Sequence, residues 1–314
     1  MTHKPGLPAF AAILKRYLNH PSLVSEVDEE AIGRAVTRQL TVTDSGPALR
    51  LSGLGKCRKA LAYAHHGTPP NGREIDARAR TVFALGDMTE AFLVTALDQA
   101  LEQQADDLGW ILDYTGDNQQ TVELEVYLPT LDQTLVIPGH PDGTLRHPDI
   151  EDRIVLEVKS TSSYGFQRWQ SALKNGEDPW GPSESYYWQA QAYIHAMDAE
   201  HAYVLALCKD SGAICGWHVQ RDLDYIRWLV THLEAALGPD NPRFAERRLP
   251  DGSWLKPVEK LSKRDGVTPL KGHGQLPWQC RYCAWHSAGC WPNLEKRIEK
   301  DYRGAPSLGL YLKS

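Results

Sequence analysis

Two short motifs constrain this chain more than anything else in it: Gly139-His-Pro-Asp-Gly143 and Leu156-Glu-Val-Lys159, with fourteen residues between Asp142 and Glu157. Both acidic residues fall where the chain reads as strand. Residues 134–137 (TLVI) lead into the Pro-Asp turn, and residues 153–158 (RIVLEV) alternate between two faces. Glu157 and Lys159 are two apart, so on a strand they share a face. A carboxylate and an ammonium on one face, with a second carboxylate on a neighbouring strand, can hold a divalent metal beside a phosphate. The metal neutralises charge and acidifies water, and the lysine orients that water or steadies developing negative charge. Asp-Gly turns and solvated Glu-x-Lys faces carry the same pattern without any chemistry, so the rest of the chain has to decide.

The cysteines are the second signal. Of six, Cys57 stands alone early, and Cys280, Cys283 and Cys290 form a C-x2-C-x6-C run near the C-terminus. Three thiolates do not complete a four-coordinate centre, and Cys57 is the obvious fourth. His286, inside the x6 segment, is the alternative and would favour a local zinc knuckle. Four thiolates suit an iron–sulfur cluster or structural zinc, and spacing does not choose between them. Cys208 and Cys215 flank a Lys-Asp-Ser-Gly turn between strand-like runs and read as small core residues rather than as a cross-strand disulfide.

With these residues in view, the chain resembles the iron–sulfur branch of the PD-(D/E)xK nucleases, which includes the RecB-like CRISPR-associated exonucleases and the AddB-type nuclease domains. Residues 52–59 (SGLGKCRK) are similar to that family's cysteine-arginine entry, and residues 86–90 (GDMTE) to its first core motif. Asp142 matches the Pro-Asp motif, Glu157 with Lys159 the Glu-x-Lys motif, and residues 189–193 (QAQAY) the Gln-x-x-x-Tyr motif. The likeness covers about residues 52–291. The chain departs from it at Glu90, where RecB-like relatives commonly carry histidine.

The resemblance implies an α/β fold: a restriction-endonuclease-like core with a mixed central sheet flanked by helices, and with helical N-terminal and cysteine-bearing C-terminal additions. It divides the chain into a helical extension (1–50), a nuclease core carrying the first cluster cysteine (51–238) and a C-terminal region that closes the cluster (239–314). It implies a metal-dependent DNA exonuclease acting on single strands or ends. Asp142, Glu157, the Val158 carbonyl and Glu90 would be ligands to Mg²⁺ or Mn²⁺. Lys159 would manage the water, Gln189 would orient Lys159 or a phosphate, and Tyr193 would support it or touch DNA. Cys57, Cys280, Cys283 and Cys290 would hold a structural 4Fe–4S cluster, with zinc as the alternative. Two other outcomes remain open at this point: an adaptation-type nuclease that trims DNA for a CRISPR integrase, and a non-cleaving nucleic-acid-binding or recombination accessory module. Protein partners from recombination, phage or CRISPR systems belong to these readings.

Charge and periodicity add placement. The net charge is −6, yet residues 106–159 carry 12 Asp and Glu against 3 Lys and Arg, whereas residues 241–303 carry 13 Lys and Arg against 7 Asp and Glu. The acidic part suits metal, and the basic part suits a phosphate backbone or a solvated helical face. No run approaches the roughly 18 apolar residues of a membrane span. The N-terminus lacks a basic lead into an apolar core, and clustered thiols fit a reducing compartment, so a cytoplasmic protein without a membrane partner is expected.

Helices are expected at Phe10–Leu18, about 28–39, from Gly55 onward carrying Cys57, at 77–104, 183–197 and 223–237. Strands are expected at 109–113, 120–128, 133–137, 153–159, 201–207 and 213–219. Ten tryptophans are present, and Trp278, Trp285 and Trp291 bracket the C-terminal cysteines. They read as packing against a metal centre or as platforms for unpaired bases.

Overall fold

The computed structural model describes residues 9–19, 33, 37, 48–69, 77–104, 109–113, 120–181, 184–238, 248–250, 283 and 285. Helix α1 (Phe10–Leu18) leads to a 3-10 turn at Leu51–Gly53, then α2 (Arg58–His65) and α3 (Ala77–Glu102). Strands β1 (Ile111–Leu112), β2 (Val122–Leu128), β3 (Gln133–Gly139), β4 (Gly143–His147) and β5 (Ile150–Thr161) follow. Next come α4 (Ser163–Lys174), α5 (Ser185–Ala196), β6 (His201–Cys208), β7 (Ile214–Gln220) and α6 (Tyr225–Leu237). The result is the mixed central sheet flanked by helices that the chain led one to expect.

That sheet has the order β1-β4-β5-β6-β7. Only β5 and β6 run parallel, and the crossover between them carries α4 and α5. The other neighbours are antiparallel. β5 is the central strand, and residues 154–158 of it are buried on both faces. Ile154, Leu156 and Val158 face a core formed with α1 and α3, through Phe10, Leu14, Leu93, Leu97 and Leu101. Val155 faces the opposite core, built with α5, α6 and the β2–β3 hairpin through Trp188, Tyr193, Leu229 and Val126. Alternation sends Glu157 and Lys159 toward this second side.

The expected helices at 10–18, 77–104, 183–197 and 223–237 are present within a few residues. Of the helix expected at 28–39, only Gly33 and Thr37 fall within the described residues, and both are helical. Three features differ from the sequence reading. Strand β4 and helix α4 carry no strong local signal and were not expected. The strand taken as neighbour to the Glu-x-Lys strand is β4, not the 134–137 run. That run lies in β3, which among the described residues pairs only with β2 in a separate two-stranded sheet. β2 buries every second residue, so it covers the core with one face and leaves the other to solvent.

Two glycines permit close approach. A Cβ on Gly139, at the end of β3, would lie 2.8 Å from the Leu51 side chain, and one on Gly55 would lie 2.8 Å from the Ser185 backbone. The first contact seats the Pro-Asp turn, and the second seats the start of α5. Among the described residues no helix is long and apolar enough to cross a membrane.

Candidate active site

The site exists because β5 outruns β4. Their ladder stops at Gly143 opposite Leu156, while β6 continues alongside β5 to Thr161. Beyond Leu156 one edge of β5 therefore has no strand beside it among the described residues. The Val158 N–H on that edge is met by Asp142, whose Oδ2 accepts it at 2.7 Å. A carboxylate thus takes the place of a ladder acceptor, and the Pro-Asp turn is tied directly to the Glu-x-Lys strand. The Val158 carbonyl accepts a hydrogen bond from Lys159 Nζ at 3.0 Å.

Three oxygens converge on the Lys159 ammonium. Glu157 Oε1 is in direct contact with it, the Val158 carbonyl is bonded to it, and Asp142 Oδ2 stands 3.8 Å away. Gln189, on α5, donates from Nε2 to Glu157 Oε1 at 2.6 Å. One helical turn further, the buried Tyr193 donates its hydroxyl to the His140 carbonyl at 2.9 Å and so braces the segment that carries Asp142. Gln189 and Tyr193 are four apart and lie on the same side of α5. Tyr193 therefore supports the turn from within the core.

Glu157 is fully buried, and its Oε2 has no hydrogen-bonding partner among the described residues. Burial pushes its carboxyl up to about 8, although Lys159 pulls the other way and Asp142 adds to the rise. Burial also opposes the Lys159 charge, but the carboxylates of Glu157 and Asp142 outweigh it and hold the ammonium above the usual lysine range. Glu90 belongs to the same electrostatic group. Burial and then the Asp142 charge raise its carboxyl well above the ordinary value, with Lys159 opposing and Glu157 and Asp87 adding further. α3 brings it there, with Gly86 one turn earlier, where an added Cβ would lie 3.9 Å from Ser160 Oγ on β5.

Whether these residues suit a divalent cation can be judged from their donors. Among the described residues no three His, Cys, Asp or Glu side chains gather on one point. The converging donors are two carboxylates and a backbone carbonyl. All are hard oxygens of the kind Mg²⁺ and Mn²⁺ prefer, and they already embrace a positive charge. The unpartnered Glu157 Oε2 adds a buried acceptor at the same place. The set fits a hard cation that displaces the ammonium.

A second cluster lies at α2. Cys57 is its N-cap residue and packs with Ala60, Tyr63, Ala64, Cys283 and Trp285. Trp285 is buried, lies 6.1 Å from the Tyr63 ring and donates from Nε1 to the Thr68 carbonyl at 2.8 Å. For this tryptophan packing is the observed role. The Arg58 N–H also donates to the Arg248 carbonyl at 2.9 Å. Burial pushes the Cys57 thiol up, and neighbouring Cys283 adds to the rise; Cys283 is raised chiefly by burial as well. Both are free thiols. Cys280, Cys290, His286, Trp278 and Trp291 lie outside the described residues. Cys208 and Cys215 are buried free thiols in the core, as expected.

The sequence did not reveal Tyr186. It lies on α5 one turn before Gln189, and the Lys159 ammonium stands over its ring, 5.7 Å from the centroid. Its neighbours Tyr187 and Trp188 are buried, so the whole Tyr-Tyr-Trp run looks like core in the sequence.

No protein-family profile matches the chain, and no curated protein matches it. Solved structures of similar shape include that of SSO0001, at 14% identity and a TM-score of 0.42, covering 82% of this chain and 93% of that one. An alkaline exonuclease from Laribacter hongkongensis is similar at 14% identity and a TM-score of 0.28, covering 67% of this chain and 91% of that one. The structure of LHK-Exo in complex with dAMP is similar at 14% identity and a TM-score of 0.24, covering 60% and 89% of the two chains.

Proposed function

We propose that this chain is a metal-dependent DNA nuclease of the PD-(D/E)xK type, an exonuclease hydrolysing phosphodiester bonds of single strands or DNA ends. The observation that carries the reading is the convergence of Asp142 Oδ2, Glu157 Oε1 and the Val158 carbonyl on Lys159 at the open edge of β5. These three groups, with Glu90 as helper, would hold Mg²⁺ or Mn²⁺. Bound there, the cation would supply charge neutralisation at the phosphate and acidify water.

The chain's own residues do the rest. Lys159 keeps its proton between two carboxylates, so it acts by donating hydrogen bonds that orient the water and steady negative charge on the phosphate. Gln189 fixes the Glu157 carboxylate, and Tyr193 fixes the turn carrying Asp142. The basic stretch 241–303 suits a phosphate backbone and gives binding that weakens as salt rises.

The reading extends to the cysteines. Cys57, Cys280, Cys283 and Cys290 would hold a structural 4Fe–4S cluster, or zinc. Supporting this, Cys57 and Cys283 are free, partly buried and packed against one small cluster although they come from opposite ends of the chain. The set would hold the C-terminal region (239–314) against the core (51–238).

End-labelled single- and double-stranded DNA incubated with the protein and Mn²⁺, with and without EDTA, tests the activity. Progressive shortening that EDTA stops is expected. Intact DNA in every arm would leave the binding or accessory reading in its place. Brown protein with iron after anaerobic purification is expected for the cluster, and colourless protein with stoichiometric zinc would replace it without touching the nuclease reading.

A further inference from the structure

We propose that Tyr186 is a positioning residue for Lys159: its ring is the seat to which the ammonium withdraws when a divalent cation takes the oxygens of Asp142, Glu157 and Val158. The inference rests on the metal reading above and adds a residue that none of the motifs contains.

The need for such a seat follows from the geometry. The Lys159 ammonium holds the very oxygens a cation would use. Two positive charges do not share one set of donors, so loading the site means moving the ammonium. Without a second favourable position, that move would leave a largely buried charge unpartnered, which opposes loading. The Tyr186 ring is the aromatic face beside Nζ, at 5.7 Å, within the range over which a ring face attracts a cation. It stands on the side from which α5 also supplies Gln189 and Tyr193, at i+3 and i+7.

The ring is also held in place. Tyr186 lies 5.2 Å from Trp180 and 6.2 Å from Trp169, and both of these pack against Trp217 at 5.1 and 5.6 Å. Trp180 is fully buried, and Trp169 and Trp217 nearly so. A half-buried ring on a rigid aromatic base keeps its face toward the lysine, which an isolated surface tyrosine would not do. The ammonium thereby stays near the phosphate site in both states.

Calorimetric titration of Mn²⁺, with no DNA present, tests this apart from activity. Tyr186→Leu should weaken Mn²⁺ binding by roughly two- to thirtyfold, the range a cation–ring contact spans. Tyr186→Phe, which keeps the ring face, should bind like the parent. In a Lys159→Met background, where no ammonium needs displacing, Tyr186→Leu should change nothing. Tyr186→Met serves if the leucine variant does not fold. Parent-like affinity in the folded leucine or methionine variant, or an equal loss with and without Lys159, would overturn the proposal while leaving the metal site intact. Absence of any Mn²⁺ uptake by the parent would overturn the metal reading and this inference together.

Discussion

The carboxylate group at the end of β5 and the cysteine group at α2 are both small reactive clusters set among apolar side chains, and they are assembled in opposite ways. The first is built on the sheet itself. Glu157, Val158 and Lys159 are consecutive on a buried strand, and Asp142 is tied to that strand through the Val158 amide. The second gathers Cys57 from before the core and Cys283 from after it, with Trp285 as its main packing surface. A cluster printed on a strand is rigid as soon as the sheet forms. One that joins distant segments forms only when the chain closes, and then contributes to keeping it closed. Chemistry is expected from the first and stability from the second.

The largest effect should separate them cleanly. Glu157→Gln keeps the volume of the buried side chain but removes the carboxylate that would be offered to the cation, and cleavage should fall on the order of 10²–10³-fold. Its melting temperature should stay near the parent's at about pH 5, where the buried carboxyl still holds its proton. A variant that cleaves normally would mean that the two clusters do not divide the work in this way.

Trp285→Ala should do the reverse. Truncating a buried tryptophan costs about 3 kcal/mol or more, and it also removes the bond to the Thr68 carbonyl. Melting should drop and limited proteolysis should speed up, with cleavage per folded molecule little changed. Cys283→Ala should move in the same direction. If either variant melts like the parent, the second cluster does not hold the chain together.

A pH series sharpens the contrast. The folded protein holds the Glu157 proton to about 8, against an ordinary value of 4.5. Between those values the native state binds more protons than the unfolded one, so this group's contribution to stability falls as pH rises from about 4.5 through 8. In metal-free protein the Glu157→Gln variant should lose that slope, and Trp285→Ala should keep it. Equal slopes in parent and Glu157→Gln, measured by chemical denaturation, would contradict the burial argument. The smallest change is expected for Tyr193→Phe, which removes one hydroxyl bond to the His140 carbonyl. A loss of about 1 kcal/mol is expected, with a modest drop in cleavage as the Asp142 turn loosens.

How far the chain disclosed all this depends on local periodicity. Helices α3 and α6 carry apolar residues at helical spacing over several turns, and β6 and β7 are apolar runs around a Lys-Asp-Ser-Gly turn, so each could be read directly. Strand β4 is five residues, GTLRH, beginning at a glycine and too short to alternate. Helix α4 buries only Phe166 and Trp169, so its apolar stripe is faint. The separation of β2 and β3 from the main sheet is a matter of tertiary pairing, which strand propensity does not encode. In the site, Asp142, Glu157 and Lys159 were legible because their spacing is itself the signal, and Gln189 was legible only through the family resemblance of residues 189–193. The Val158 N–H hydrogen bond to Asp142 was not, since it arises from β4 beginning only at Gly143. Tyr186 was hidden because one aromatic residue among Tyr186, Tyr187 and Trp188 gives no sign that it faces an ammonium instead of the core.

The most direct test of the central claim is turnover of end-labelled DNA by purified, Mn²⁺-replete Lys159→Ala beside the parent. Shortening by the parent that EDTA abolishes, with none above background in folded Lys159→Ala, is the predicted result. Near-parent turnover by the alanine variant would contradict it, because the group on which all three oxygens converge would then have no part in the chemistry.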